Sequence, residues 1–412
     1  MELKDSTTPT DPLDDEADWL SLPARQQPDW PAGAPVEVVR RTLRALPAVA
    51  EWHEIETLRA LLADVAAGEA RLIQAGDCAE DPAQCTPSWV SAKAALVEGL
   101  ADVLDPEGGA VVRVGRIAGQ FAKPRSQSWE EVGDMLVPAF RGHAVNAHEA
   151  GPETRRPDPH RLLSCYHAAL DAATTLRERA AGAGPRPQRR VWTSHEALLL
   201  DYEVPFLRRD PWNRPLLTST HLPWVGERTR ELDGAHVRLL SAVVNPVACK
   251  IGPRTTPDEI TELCARLDPE REHGRLTLIA RLGADRTAEV LPGLVEAVRG
   301  AGHPAIWLCD PMHGNTITAP DGRKTRLLSS MRREVALFRE VLDAGRVRAA
   351  GLHLEVTPEA VGECVADEDE LDRVGEPAYS TACDPRLSDE QATELAREFR
   401  TAGTGKVHRV RS

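Results

Sequence analysis

The chain has 412 residues, 42% of them apolar, eight cysteines and a formal net charge of −14. Such a negative balance argues against nucleic acid, which is bound through clustered Lys and Arg. No apolar run approaches the roughly 18 residues that span a bilayer, and the N-terminus is acidic where a signal peptide is basic. These features predict a soluble, cytoplasmic protein with no membrane or nucleic-acid partner. Its scattered cysteines, without a CxxC pair, suit reduced thiols better than a disulfide framework.

Residues 1–18 hold Asp, Glu, Thr and Pro with few large apolar side chains, which predicts a disordered acidic tail. Residues 19–70 read as an N-terminal arm and helices. The segment WLSLPARQQPDWP, from Trp19 to Pro31, suggests an extended arm packed by its aromatic rings. Val38, Leu43, Leu46, Leu58, Leu61 and Leu62 fall at helical spacing over 36–68, enough for one or two helices. From 71 to 412, short apolar runs alternate with amphipathic stretches, the pattern of parallel strands and crossover helices. The predicted strands are RLIQAG from 71, AVVRVG from 110, RVWTS from 190, LPWVG from 222, AVVNPVACKIG from 242, LTLIARLG from 276, AIWLCDP from 305 and GLHLEV from 351. Helices are predicted over Pro87–Leu104, His160–Ala181, Thr287–Arg299, Leu327–Ala344 and Asp389–Thr401. Eight such strands predict an α/β fold, a (β/α)8 TIM barrel with an N-terminal extension.

A barrel of this kind carries its site at the C-terminal strand ends. There the sequence places Asp77 and Cys78, Arg116, His195 and Glu196, Glu227 and Arg228, Lys250, Arg281, Asp310 and His313, and Glu355. One such residue is ordinarily a solvated charge or a cap; the whole set points to a site. Cys78, His313, Glu355 and, further on, Asp384 make a mixed S, N and O donor set suited to a divalent transition metal such as manganese, cobalt, iron or zinc. No local spacing rule joins these four, and a buried Cys is commonly a small hydrophobe. Arg116, Lys123, Arg125, Arg228, Lys250 and Arg281 form a second subset. Guanidinium forks match phosphate and carboxylate, so these cations call for one or two small, multiply charged anions.

At these residues the sequence resembles the class II (plant-type) 3-deoxy-D-arabino-heptulosonate 7-phosphate synthases, in a short form. The resemblance runs through QAGDCAE at 74–80, RVGRIAGQFAKPRS at 113–126, TSHEALLLDYE at 193–203, WVGERTRELDGAH at 224–236, NPVACKIGP at 245–253, CDPMHGNT at 309–316, GLHLEVTPE at 351–359 and CDPRL at 383–387. It implies condensation of phosphoenolpyruvate with erythrose 4-phosphate, and a metal, manganese or cobalt, on Cys78, His313, Glu355 and Asp384. It also implies that Arg116, Glu227, Arg228, Lys250 and Arg281 surround phosphoenolpyruvate. Lys123, Arg125 and Ser126 then take the aldose phosphate, Trp224 walls the pyruvyl side, and Glu196 joins the substrate set. Lys250, Glu227 and Arg116 are the candidate catalytic residues, and a homo-oligomer, dimer or tetramer, is expected.

Two positions depart from the family pattern. Ala75 stands where the family tends to have glycine, and FRGHAVN at 140–146 carries His143 where it generally has RGD, a change that could alter the sugar-phosphate end. The chain is also short for the family, which predicts weak feedback by Phe, Tyr and Trp. The alternatives are an amino-heptulosonate synthase, using an imino or amino analogue of the aldose phosphate, and a non-catalytic relative acting as a partner protein. Cys383, beside Asp384, could also approach Cys78 and close a disulfide when metal is absent.

Overall fold

The computed structural model describes residues 21–401 except 134 and 183–186, so the predicted acidic tail and Trp19 lie outside the described residues. Eight parallel strands close a barrel in sequence order. They are β1 (Ala70–Gly76), β2 (Ala110–Arg116), β3 (Val191–Glu196), β4 (Leu222–Val225), β5 (Val247–Ile251), β6 (Leu276–Ala280), β7 (Ile306–Cys309) and β8 (Ala349–Glu355). β8 returns to β1 through five paired positions, from Leu72 opposite Gly351 to Gly76 opposite Glu355. This is the predicted (β/α)8 barrel. The strands read as continuous apolar runs because one face looks into the barrel and the other lies under helices. In β1, Leu72 joins the inner cluster while Ile73 and Ala75 join the helix-facing one.

The predicted helices stand within a residue of their expected ends, at Pro87–Leu104, His160–Gly182, Thr287–Gly300, Leu328–Ala344 and Asp389–Thr401. The last packs against both Pro87–Leu104 and Leu328–Ala344 and so completes the ring there. Between β3 and β4 the one α-helix among the described residues is the four-residue Leu200–Glu203, followed by a short 3-10 turn and a hairpin. The N-terminal helix Val36–Ala45 packs over that part of the ring, against His160–Gly182 and the segment 200–206, burying Val39 and Leu43.

The second N-terminal helix, Trp52–Ala67, plugs the bottom of the barrel. Leu58, Leu61, Leu62 and Val65 pack with the inward-facing Leu72, Val112, Val114, Trp192 and Leu222. A reciprocal Glu51–Glu54 capping box starts this helix, and Gly68, left-handed at φ 86°, ends it.

One expectation is corrected. The run from Ala242 is not one strand: a helix ends at Ala242 and β5 begins at Val247. Pro246 has no N–H to give a ladder, and the Asn245 side chain is committed to both the N–H and the carbonyl of Leu217. The described part of the arm is held by a ring, since Trp30 packs against the core as expected, and by amides as well. Gln27 accepts from the Leu200 N–H and donates to the Leu198 carbonyl, while half-buried Trp30 donates its indole N–H to Asp201 at 2.7 Å.

Three short hairpins were not predicted: Trp129–Val132 with Met135–Pro138, Leu207–Arg209 with Pro215–Leu217, and Thr316–Thr318 with Lys324–Arg326. Strands of three or four residues carry too few alternations to register as a period.

Barrel closure generates a test. A Cβ on Gly351 would lie 1.7 Å from the Leu72 carbonyl oxygen, whereas one on Gly99, in the exposed middle of Pro87–Leu104, would meet nothing within 4 Å. Gly351→Ala is expected to lower stability by about 2 kcal/mol or more through overpacking at the β1–β8 seam. Gly99→Ala is expected to raise it by about 0.5–1 kcal/mol. Thermal unfolding at one scan rate checks both signs.

Candidate active site

The C-terminal strand ends open into a cavity of about 430 Å³. All ten residues of the predicted substrate set line it: Arg116, Lys123, Arg125, Ser126, Glu196, Trp224, Glu227, Arg228, Lys250 and Arg281. They come from β2 to β6 and the loops that follow, so only barrel closure brings them together.

Glu355, at the end of β8, has no solvent exposure and anchors the arrangement. It accepts from Arg116 Nη2 at 3.0 Å, Lys123 Nζ at 3.3 Å and Arg326 Nη1 at 2.9 Å, and lies 3.1 Å from His313 Nε2. Burial by itself raises a carboxyl pKa; here His313, Lys123 and Arg326 outweigh it and hold Glu355 well below the usual range. Asp384 is held low in the same way, against burial, by Lys123, which also lies 3.3 Å from its Oδ2.

His313, Glu355 and Asp384 each present a ligand atom within 4.8 Å of the others. The structure thus gathers three of the four predicted metal ligands. Cys78 is not part of that group: its Sγ faces Thr381 Oγ1 at 3.3 Å. Its thiol is brought down to about 7 by a hydrogen bond from Cys383, working against burial, with Lys123 assisting. A thiol near 7 next to two ionised carboxylates and an imidazole is chemically a fit for a divalent ion, since thiolate is the ligating form. Cys78 and Cys383 are neighbours, and both are free thiols.

Two carboxylates reach the cavity only because glycine faces them. A Cβ on Gly226 would come within 2.0 Å of Glu196 Oε1, and one on Gly252 within 2.5 Å of Glu227 Oε1. Arg230 clamps Glu227 through Nε at 3.0 Å and Nη2 at 3.2 Å. Lys250 donates to Asp310 Oδ2 at 3.0 Å; burial lowers its ammonium to about 8, Asp310 opposing and Arg116 adding to the shift. Arg228 donates to Ser126 Oγ at 2.7 Å, and Arg281 to the His313 carbonyl at 2.8 Å. The Arg125 loop is tied to the arm in both directions, its N–H to Gln26 Oε1 at 2.9 Å and its carbonyl from Gln26 Nε2 at 3.2 Å.

Other strand-end residues lie elsewhere. Asp77 is buried between Lys93, at 2.7 Å, and Arg386, at 2.9 Å. His195 lies 2.8 Å from Glu203 and does not line the cavity. His143 packs edge-on against Phe140 and lines a separate surface cavity with Asp81, Asp158 and His160, not the cavity at the strand ends. Ala75 packs in the helix-facing core.

The sequence reading missed Arg326, Lys324, Glu130 and Arg230. Arg326 and Lys324 lie in the hairpin after β7 and Glu130 in the hairpin after β2, and all three line the cavity. Lys324 reaches Asp384 Oδ1 at 2.9 Å, and Glu130 accepts from Arg125 at 2.6 Å. Arg230 alone stood in a quoted segment, three residues from the Glu227 that it holds.

Comparison with known proteins places this geometry in context. The sequence profile of the class-II DAHP synthetase family matches residues 14–185 and 179–400. A protein of Pseudomonas fluorescens named probable phospho-2-dehydro-3-deoxyheptonate aldolase is 51% identical over 380 residues, covering 90% of this chain and 94% of its own. A phospho-2-dehydro-3-deoxyheptonate aldolase of Streptomyces coelicolor is 38% identical over 92% of this chain and 95% of its own. Among solved structures, a phospho-2-dehydro-3-deoxyheptonate aldolase from Francisella tularensis superposes with a TM-score of 0.54 at 12% identity, over 92% of this chain and 98% of that one, a likeness of fold alone. The barrel, the gathered site and these matches agree: the chain is an enzyme and belongs to the class-II DAHP synthetase family.

Proposed function

We propose that the enzyme condenses phosphoenolpyruvate with erythrose 4-phosphate in a metal-dependent, aldol-like reaction giving 3-deoxy-D-arabino-heptulosonate 7-phosphate and inorganic phosphate, the first step of the shikimate pathway or of a secondary-metabolic branch. One observation carries the reading: on an acidic chain, a single cavity gathers eight cations beside a His, Glu and Asp donor cluster. Two phosphorylated anions and one divalent ion account for both parts. The same completeness speaks against a non-catalytic partner protein.

Arg116, Arg228, Lys250 and Arg281 bind the phosphate and carboxylate of phosphoenolpyruvate, with Trp224 as the wall of its pyruvyl side. Lys123, Arg125 and Ser126 take the acceptor phosphate, and Glu196 a polar group of the acceptor. His313, Glu355 and Asp384, with Cys78, would hold manganese or cobalt, which supplies Lewis-acid polarisation of the aldehyde oxygen. The phosphoenolpyruvate methylene forms the new C–C bond at the aldehyde carbon, leaving an oxocarbenium-like centre at the enol carbon. Glu227, fixed by Arg230, orients the water that adds there. C–O cleavage of the resulting hemiketal phosphate then expels inorganic phosphate. Lys250, lowered to about 8 within hydrogen-bond reach of Asp310, moves the proton this sequence requires.

Loss of phosphoenolpyruvate absorbance and phosphate release, followed with manganese or cobalt and erythrose 4-phosphate, should show turnover that needs the metal and falls about a hundredfold or more in Cys78→Ser and His313→Ala. Undiminished turnover after chelation would remove the metal from the mechanism. Phosphoenolpyruvate binding without turnover would shift the acceptor to the amino or imino analogue. A second expectation concerns the arm: Gln26→Ala frees the Arg125 loop and should raise KM for erythrose 4-phosphate about five- to tenfold while KM for phosphoenolpyruvate stays within about twofold. Steady-state kinetics with each substrate varied in turn separates this from a general loss of stability, which would not discriminate between substrates.

A further inference from the structure

Below the charged rim, the barrel interior is lined mainly by apolar side chains, but polar ones with no solvent exposure also sit there, among them Gln74 on β1, Ser194 on β3 and His353 on β8. These three form one chain of hydrogen bonds that begins at Arg116. Arg116 Nη1 lies 2.7 Å from His353 Nε2, His353 Nδ1 lies 2.8 Å from Gln74 Oε1, Gln74 Nε2 lies 3.0 Å from Ser194 Oγ, and Ser194 Oγ lies 2.9 Å from the Gly115 carbonyl.

The direction of every link follows from its ends. A guanidinium only donates and a carbonyl only accepts. Arg116 must therefore donate to His353 Nε2, which leaves the ring proton on Nδ1, donated to Gln74 Oε1. The Gln74 amide N–H then goes to Ser194 Oγ, and the hydroxyl proton to Gly115, the residue next to Arg116. Each atom is used in the one role it has available. His353 Nε2 consequently has no free lone pair with which to take a proton or bind a metal.

The chain ends on the nitrogen that matters. Arg116 has five N–H donors. Nε serves the Asp77 carbonyl, Nη2 serves the Cys78 carbonyl and Glu355, and one hydrogen of Nη1 serves His353. That leaves one N–H without a partner among the described residues, on Nη1, in a side chain that lines the cavity. Buried polar trios can be replaced by apolar residues at little cost in stability, so packing alone gives no reason for this one.

We propose that His353, Gln74 and Ser194 are positioning residues: a hydrogen-bonded chain of fixed direction that sets the plane of the Arg116 guanidinium and aims its remaining Nη1 hydrogen at the anionic end of phosphoenolpyruvate. The inference rests on the reaction proposed above. Its effect is on one substrate and decays along the chain. His353→Phe, which removes the acceptor, should raise KM for phosphoenolpyruvate about tenfold or more. Gln74→Met should do so less and Ser194→Ala least, about twofold. KM for erythrose 4-phosphate should hardly move. His353→Gln offers an oxygen to Arg116 and an N–H to Gln74 and should restore KM to within about threefold of wild type.

The tautomer of wild-type His353 gives a readout independent of any variant. Long-range 1H–15N correlation spectra of histidine-labelled full-length protein, assigned by difference from His353→Gln, should show Nδ1 protonated and Nε2 bare. A protonated Nε2 overturns the chain itself, as does an equal rise in KM for both substrates or a His353→Gln enzyme no better than His353→Phe. Failure of wild type to bind phosphoenolpyruvate overturns instead the reaction on which the purpose of the chain rests, and the two failures are distinguishable because the spectra need no substrate.

Discussion

A carboxylate with no access to water, Glu355, sets the terms for the upper half of the barrel. An isolated ion of this kind would cost several kcal/mol in desolvation even after relaxation. Arg116, Lys123 and Arg326 remove that cost together, and each is drawn from a different place: the end of β2, the loop after it and the hairpin after β7. Holding one charge therefore fixes three chain segments, and their cations become the floor and walls of the cavity. The excess positive charge is then available to ligands that carry phosphate and carboxylate.

The barrel divides this work by depth. At the bottom, leucines of the helix Trp52–Ala67 meet the inner side chains of the strands and keep water from the core. At the top, the same strands end in Arg116, Glu196, Trp224, Lys250, Arg281 and Glu355, alternate inward positions of a pleat whose other face lies under helices. Between the two layers the polar trio of Gln74, Ser194 and His353 reaches up to Arg116. Rigid strands thus hold the charged groups, and the loops that follow complete the site.

Those loops rely on partners remote in sequence. Gln26 of the arm and Arg125 are 99 positions apart, yet they exchange two hydrogen bonds. Lys324 and Asp384 are 60 apart and pair directly. The N-terminal segment and the hairpin after β7 are in this sense parts of the active site, although neither contains a barrel strand. Gly226 and Gly252 add a requirement of another kind, empty space where a side chain would displace Glu196 or Glu227.

The sequence by itself determined the barrel and most of the residues that line its mouth. Apolar runs of strand length, separated by amphipathic segments, mark eight strands because burial on both faces leaves a continuous apolar signal. Polar groups that interrupt such runs at their ends are visible for the same reason, which is how Arg116, Glu196, Glu227, Arg228, Lys250 and Arg281 show in the sequence; Lys123 and Arg125 show as nearby cations, Ser126 and Trp224 only through the family resemblance, and all ten line the cavity. Only the tertiary structure decided what those groups hold. It gathered His313, Glu355 and Asp384, set Cys78 beside Cys383 and Thr381, and sent Asp77, His195 and His143 to other partners. It also recruited Arg326, Lys324 and Glu130 from strands too short to show a period. Strand formation is a local property of side-chain alternation and burial. The pairing of charges across a closed barrel depends on distances between residues tens to hundreds of positions apart, and no local pattern records them.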